Sequence, residues 1–253
     1  MDTEIETHTI AGHQFDLPKL PTEHLAGASY LAHVKLAASI DEAYTLGKTV
    51  TSNSHLSDEG KHAQLAPIGE KAWGTLLQAR EELDYEAARL DARQAELEAV
   101  PPVANPTQQG IDAEARSWWR GLPNEERLAL MQSLADEGET GHNTFTKYND
   151  LWQALLRSPI PLPDHEVEFV GDIWKRIRRL DNPVEFSRIQ TERNALEWAE
   201  QALAHDQGIL RRVTGWNDKR LADLAVSSGK ERAAARLGVT PDDLALAQLR
   251  KRT

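Results

Sequence analysis

The side chains able to do chemistry in this sequence are its histidines and its paired carboxylates, because cysteine is absent. Without thiols there is no disulfide, no thiolate metal site and no cysteine nucleophile. Nine histidines remain, yet none stands in the HExxH spacing that places two imidazoles and a carboxylate base on one helical face. His8 and His13, on either side of Ala11-Gly12, come nearest to ligand spacing, and ordinary exposed imidazoles explain them better. Asp164-His165-Glu166 could hold an acid–base pair. The same three residues also suit the first turn of a helix, where carboxylates complement the positive end of the dipole, and that reading is preferred. The run Lys175 to Arg179 reads as a solvated helix face rather than a phosphate site. Phosphate-cradling and nucleophile-elbow patterns such as GxxxxGK[ST], GxGxxG and GxSxG do not occur. The pattern therefore predicts no catalytic residue, no metal and no cofactor, and a non-enzymatic protein.

What the chain does offer a partner is charge. Its formal net charge is −11, which disfavours nucleic acid as the partner of the surface as a whole. The last 43 residues reverse that sign, with ten basic against five acidic residues, a local +5 that leaves −16 on the remainder. Arg211, Arg212, Lys219, Arg220, Arg232, Arg236, Arg250, Lys251 and Arg252 are the candidate partner-binding residues of this segment, for nucleic acid or for an acidic protein surface.

Within it, ERAAARLGVTPDDLALAQLRKR resembles the helix-turn-helix pattern. Ala234 stands four residues before Gly238, Val239-Thr240 follow the turn, and Leu244 lies six residues past the glycine. The spacing has a mechanism: a small residue where two helices cross, a glycine for the turn, and an aliphatic residue to seat the second helix. The second helix, however, opens with Pro241-Asp242-Asp243, which brings two carboxylates toward where phosphates would lie. Plain helix packing is the preferred reading, with helix-turn-helix DNA binding as the alternative.

The elements that must carry these groups are helices. Leu76, Leu83, Leu90 and Leu97 recur at every seventh position, the repeat of a helix that packs lengthwise on another. They are the second set of candidate partner-binding residues. With these leucines at one seam position, Trp73, Arg80, Ala87 and Gln94 take the other, and two polar residues in four make a poor self-dimer. The stripe is expected to pack on the chain's own first helix as an antiparallel hairpin, ahead of a parallel zipper between chains.

In chain order, residues 3–17 predict a small β-hairpin about Ala11-Gly12, a flap or an arm reaching another subunit. An amphipathic helix is expected from Pro21-Thr22-Glu23 to Leu46-Gly47, then a loop through KTVTSNSHLS. A long helix starts at Ser57, with Pro67 expected to kink or restart it. The proline-rich stretch 101–110 reads as a linker. Shorter helices follow: one capped by Asp112, one starting at Asn124, a turn at 138–142, one over 144–156, one from Asp164 and one over 184–210, with SPIPLP at 158–163 extended. This divides the chain into 1–100, the linker, a helical bundle over 111–210 and a basic helical hairpin over 211–253. The fold class is mostly α. An acidic N-terminus and the lack of any 18-residue apolar run point away from a secretory leader or a membrane span.

The hairpin THTIAGHQFDLP, the long acidic helix headed by HLSDEGKHAQLAPI and the basic C-terminal hairpin together resemble tailed-bacteriophage particle and assembly proteins. Phage scaffolding proteins are similar in being acidic, helical and elongated, with a basic helical hairpin that docks on coat protein. The resemblance implies a structural or assembly component of a phage particle. Its partners would be other phage structural proteins or a second copy of the chain, and its location the virion or the host cytoplasm.

Overall fold

The computed structural model describes residues 4–24, 27–136 and 148–252. In it the chain is mostly helical behind a small N-terminal β-hairpin. Strands β1 (Ile5–Ile10) and β2 (His13–Pro18) are antiparallel, with Ile10 opposite His13. Both turn residues have positive φ, 53° at Ala11 and 76° at Gly12, the backbone that matches strand twist in a two-residue hairpin. Glycine adopts it freely. Alanine does not, and Ala11 is held there by Asp41, whose Oδ1 accepts from the Ala11 amide at 2.6 Å.

Ten α-helices follow among the described residues: α1 (Ala28–Ser52), α2 (Asp58–Glu98), α3 (Pro106–Gly121), α4 (Asn124–Asp136), α5 (Asn149–Leu156), α6 (Asp164–Asp181), α7 (Pro183–Thr214), α8 (Asp218–Ser228), α9 (Glu231–Arg236) and α10 (Pro241–Arg252). The expected start of the first helix at Pro21 is instead a single 3-10 turn, Thr22–His24. Its expected end at Gly47 is overrun, and KTVTS is helical. The reason is local: Thr49, Thr51 and Ser52 turn their hydroxyls back onto carbonyls three and four residues earlier, so they satisfy themselves inside the helix. The long helix begins as expected, with Ser57 Oγ accepting from the Gly60 amide at 3.1 Å. It passes through Pro67 as one element.

The chain forms two compact units: Met1–Leu90 with Gln190–Thr253, and Asp91–Ile189. In the first, α1 and α2 are antiparallel, with Ser39 against Thr75 at 3.4 Å and Glu42 paired to Lys71 at 2.7 Å. The α2–α7 pairing is antiparallel too. Arg80 meets Glu200 at 2.9 Å, Arg89 meets Glu192 at 2.5 Å, and Trp73 Nε1 donates to Thr214 Oγ1 at 2.9 Å. Inside lies one apolar core. Leu76, Leu83 and Leu90 of α2, Leu36 and Ile40 of α1, and Ala199, Leu203 and Leu210 of α7 are buried there. The leucine stripe thus packs within the chain, and three of its members are covered. Leu97, in the second unit, is half-buried.

The same core takes in Leu221, Ala222 and Ala225 of α8, Ala234 of α9, Val239 of the turn after it and Ala247 of α10. The C-terminal hairpin is therefore part of the first unit rather than a module of its own. The second unit is built on Trp119 of α3, Met131 of α4, Trp152 and Leu155 of α5, and Val170, Ile173 and Ile177 of α6. Its division from the first falls within α2 and α7, not at the proline-rich stretch, because burial continues past that stretch. Trp174 Nε1 donates to the Glu98 carbonyl at 2.7 Å and Arg157 reaches the Pro101 carbonyl at 2.9 Å. Half of the expected linker is helical, since Asn105 rather than Asp112 caps α3, its Oδ1 accepting from the Gln108 amide at 2.9 Å. The expected turn at 138–142 and the start of the helix expected at 144 lie outside the described residues.

A stripe buried within the chain sets a test. Leu83→Ala removes a side chain that is 1% exposed and should cost about 2–5 kcal/mol, seen as a lower urea midpoint of the monomer. Half-buried Leu97→Ala should cost about 1 kcal/mol. Equal and small losses for both, with weakened association instead, would return the stripe to a zipper.

Candidate functional site

Among the described residues of the first unit, the buried titratable side chains cluster under the β-hairpin. His33 falls on the face of α1 shared with Leu36 and Ile40, and Asp206 on the face of α7 shared with Leu203 and Leu210. Helical spacing carries both inward, so His33 is 4% exposed and Asp206 fully buried. His33 Nδ1 stands 2.9 Å from Asp206 Oδ2. With the carboxylate ionised the oxygen only accepts, so Nδ1 is the donor.

Aromatic rings close over the pair. Trp198 packs edge-on against His33 (5.3 Å between centroids) and against His8 of β1 (5.9 Å), and His8 stacks on Phe15 of β2 (5.7 Å). Phe15 stacks in turn on His205 at 4.9 Å. Trp198 is fixed by its indole N–H, which donates to the Pro18 carbonyl at 2.7 Å and so pins the end of the hairpin to α7. Ile10 and Leu17 are buried beneath. The hairpin packs against its own unit.

Burial pushes the Asp206 carboxyl above its ordinary value of 3.8, while the hydrogen bond and charge of His33, and more weakly His205 and His8, pull it back. Asp206 Oδ1 and His8 Nε2 are buried without a hydrogen-bond partner among the described residues. A histidine oriented by a carboxylate is the arrangement of a general base with its positioning group. Here both are covered, so in this conformation the pair fastens α1 to α7 instead of meeting a reactant. Among the described residues no group of three or more histidines and carboxylates is placed to hold a metal ion.

Two further carboxylates are buried in the second unit. Asp112 accepts from Arg157 Nη2 at 2.9 Å and Gln108 Nε2 at 3.0 Å. Glu166 accepts from Trp119 Nε1 at 2.8 Å, with Arg127 at 3.6 Å. Asp112 is thus a core anchor rather than a helix cap, and Glu166 is held inside at the start of α6 as a structural acceptor.

Three of the nine candidate basic residues pair with the chain's own acids. Arg211 pairs with Asp218 (2.6 Å), Arg236 with Asp84 (3.7 Å) and Arg250 with Asp223 (2.6 Å). Lys230 bonds Gln78 and Glu81 on α2, Lys251 Nζ donates to the Val226 carbonyl at 2.8 Å, and Arg220 lies over the Trp216 ring at 4.7 Å. Lys219, Arg232 and Arg212 are outside this set, and the Arg252 side chain lies outside the described residues. The structure therefore does not gather the nine into one patch. Three of them, Arg236, Arg250 and Lys251, fasten α9 to α2 and α10 to α8.

Sequence reading missed the His33–Asp206 pair because 173 positions separate the two. The usable signal was a polar residue on an otherwise apolar helical face, present at both positions. Compared with protein-family models, curated proteins and solved structures, the chain gives no match. Among the described residues no helix is long and apolar enough to cross a membrane.

The raised Asp206 value fixes the sign of a pH effect. In the unfolded chain the carboxyl ionises near 3.8, in the folded chain only at higher pH, so this group's contribution to stability falls as pH rises through that window. Asp206→Asn keeps an acceptor for His33 Nδ1 and removes the titration. Thermal melts of both proteins should show the wild type losing ground to the variant as pH rises from about 4. A constant difference between the two would contradict the assignment.

Proposed function

We propose that this chain is a non-enzymatic helical structural or assembly protein, a component of a phage particle, acting through helix-mediated contacts with other subunits. The observation that supports it best is the way α10 is turned. Its basic residues Arg250 and Lys251 face the chain's own Asp223 and Val226, and Ala247 is buried, while Leu246 and Leu249 are 53% and 60% exposed. A helix that would read DNA presents cations and polar groups outward to phosphates and base edges. This one presents two leucines three residues apart, with Asp242 exposed in the first turn. That is a surface for protein, whether a second copy of the chain or another particle component, in the virion or the host cytoplasm.

Two helices, α9 and α10, do flank a left-handed Gly238 (φ 90°), as the helix-turn-helix pattern requires. Arg236 and Arg250 each have a carboxylate partner within the chain, which favours packing over DNA contact.

Mass measurement in solution tests the proposal. The wild type should form a defined assembly, alone or with its particle partners, and the double variant Leu246→Glu/Leu249→Glu should weaken it by about tenfold or more while the melting profile is kept. Duplex DNA binding that falls steeply with salt and is lost on neutralising Arg250, Lys251 and Arg252 would overturn it in favour of the helix-turn-helix reading.

A further inference from the structure

A groove of about 220 Å³ runs between the hairpin tip and the outer face of α7. From the hairpin it is lined by His13, Gln14 and Phe15, and from α7 by residues at positions 204, 205, 208, 209 and 212. These α7 positions recur at three- and four-residue steps, so they form one continuous face of the helix. Gly208 has no side chain there, and a Cβ built on it meets nothing within 4 Å. The groove therefore exists because a glycine stands in the middle of a helix that residue propensity alone would fill with alanine.

Its electrostatics run against the rest of the molecule. The chain carries a net charge of −11, yet no lining residue is acidic. Asp206, the neighbour of His205, is turned into the core and bonded to His33. Arg211, Arg236 and Arg250 each have a carboxylate partner. Arg212 makes no ion pair or hydrogen bond among the described residues, and it lines the groove. Beside it stand two imidazoles and the Gln14 amide, all able to donate. The remaining wall is apolar: the Phe15 ring, stacked on His205, and Ile209.

We propose that this groove binds a small organic anion, its oxyanion head on Arg212 and its apolar body against Phe15 and Ile209. The volume lies below the roughly 300–1,000 Å³ of sites for drug-sized molecules, so the ligand is the size of a single substituted ring or a short acyl chain. A planar guanidinium takes a carboxylate or a phosphate monoester through two parallel hydrogen bonds. Either head satisfies the site, and the apolar wall selects against a bare inorganic ion. The proposal stands on residues of the first unit alone and does not depend on the assembly reading.

Calorimetric titration of the full chain with benzoate, phenyl phosphate and inorganic phosphate tests it. One site is expected for benzoate or phenyl phosphate, with inorganic phosphate at least about tenfold weaker. The tighter of the two organic anions identifies the head group. Arg212→Gln should weaken binding about tenfold, and Arg212→Lys should restore part of it. Gly208→Leu should block binding by filling the groove, while its melting temperature stays at or above that of the wild type because the helix gains a better former. No binding of either organic anion, binding untouched by Arg212→Gln, or inorganic phosphate binding as tightly as phenyl phosphate would each overturn the proposal. Should Gly208→Leu fail to fold, the Arg212 pair of variants decides.

Discussion

The first unit depends on α2 having its leucine stripe covered along its length. A helix with buried leucines at positions 76, 83 and 90 is stable only when a second apolar stripe lies alongside it, since isolated helices gain little from propensity alone. Cover comes from α1, whose Leu36 and Ile40 share that core, and from α7, more than a hundred residues away, whose antiparallel pairing with α2 is bordered by Arg80–Glu200 and Arg89–Glu192. At exposed or half-exposed positions such pairs contribute little energy each. Their effect is on register, because sliding the helices by one turn would set arginine against leucine. Arg80, which spoils the stripe as a self-dimer seam, is thereby the residue that suits it to α7: it bridges Asp84 and Glu200 from the edge of the seam.

Burial then places a second demand on the same helices. His33 and Asp206 lie in a core otherwise made of leucine, alanine and tryptophan. An unpaired charge there would cost several kcal/mol, so α1 and α7 tolerate only the arrangement that keeps the two groups in contact. Asp112 with Arg157 and Glu166 with Trp119 impose the same condition in the second unit. Three buried carboxylates thus act as alignment marks in a protein whose surfaces of small and aliphatic residues could slide.

The sequence made the local structure legible where the cause was local. The Ala11-Gly12 turn, the Ser57 cap, the helix break between Asp181 and Pro183 and the non-helical SPIPLP each follow from one or two residues. The stripe at Leu76, Leu83 and Leu90 announced a helix packed lengthwise, and the polar residues between announced that its partner was not itself. The expected partner, α1, does lie antiparallel to α2, and what the sequence left hidden was that α7 supplies a further wall. Prolines at 101, 102 and 106 looked like a boundary because proline ends helices, yet a boundary between units is set by where buried contacts stop. The basic tail was legible as composition and misleading as a surface, because Glu81, Asp84 and Asp223, which take up its charges, are recognisable as partners only in three dimensions. The groove beside Arg212 was equally invisible, since it is made by a missing side chain at Gly208.

Gly69 and Trp216 show what the arrangement demands of the chain over time. A Cβ on Gly69 would lie 2.7 Å from the Trp216 indole nitrogen, so residues 147 positions apart are fitted to one another without clearance. Asp91–Ile189 is continuous in sequence and has its own core, so it can close while the ribosome is still adding α8 to α10. The first unit cannot. Its opening ninety residues must wait, with the α2 leucines uncovered, until α7 and Trp216 emerge. The sequence distance across that core makes its closure the slow, aggregation-exposed step of biogenesis.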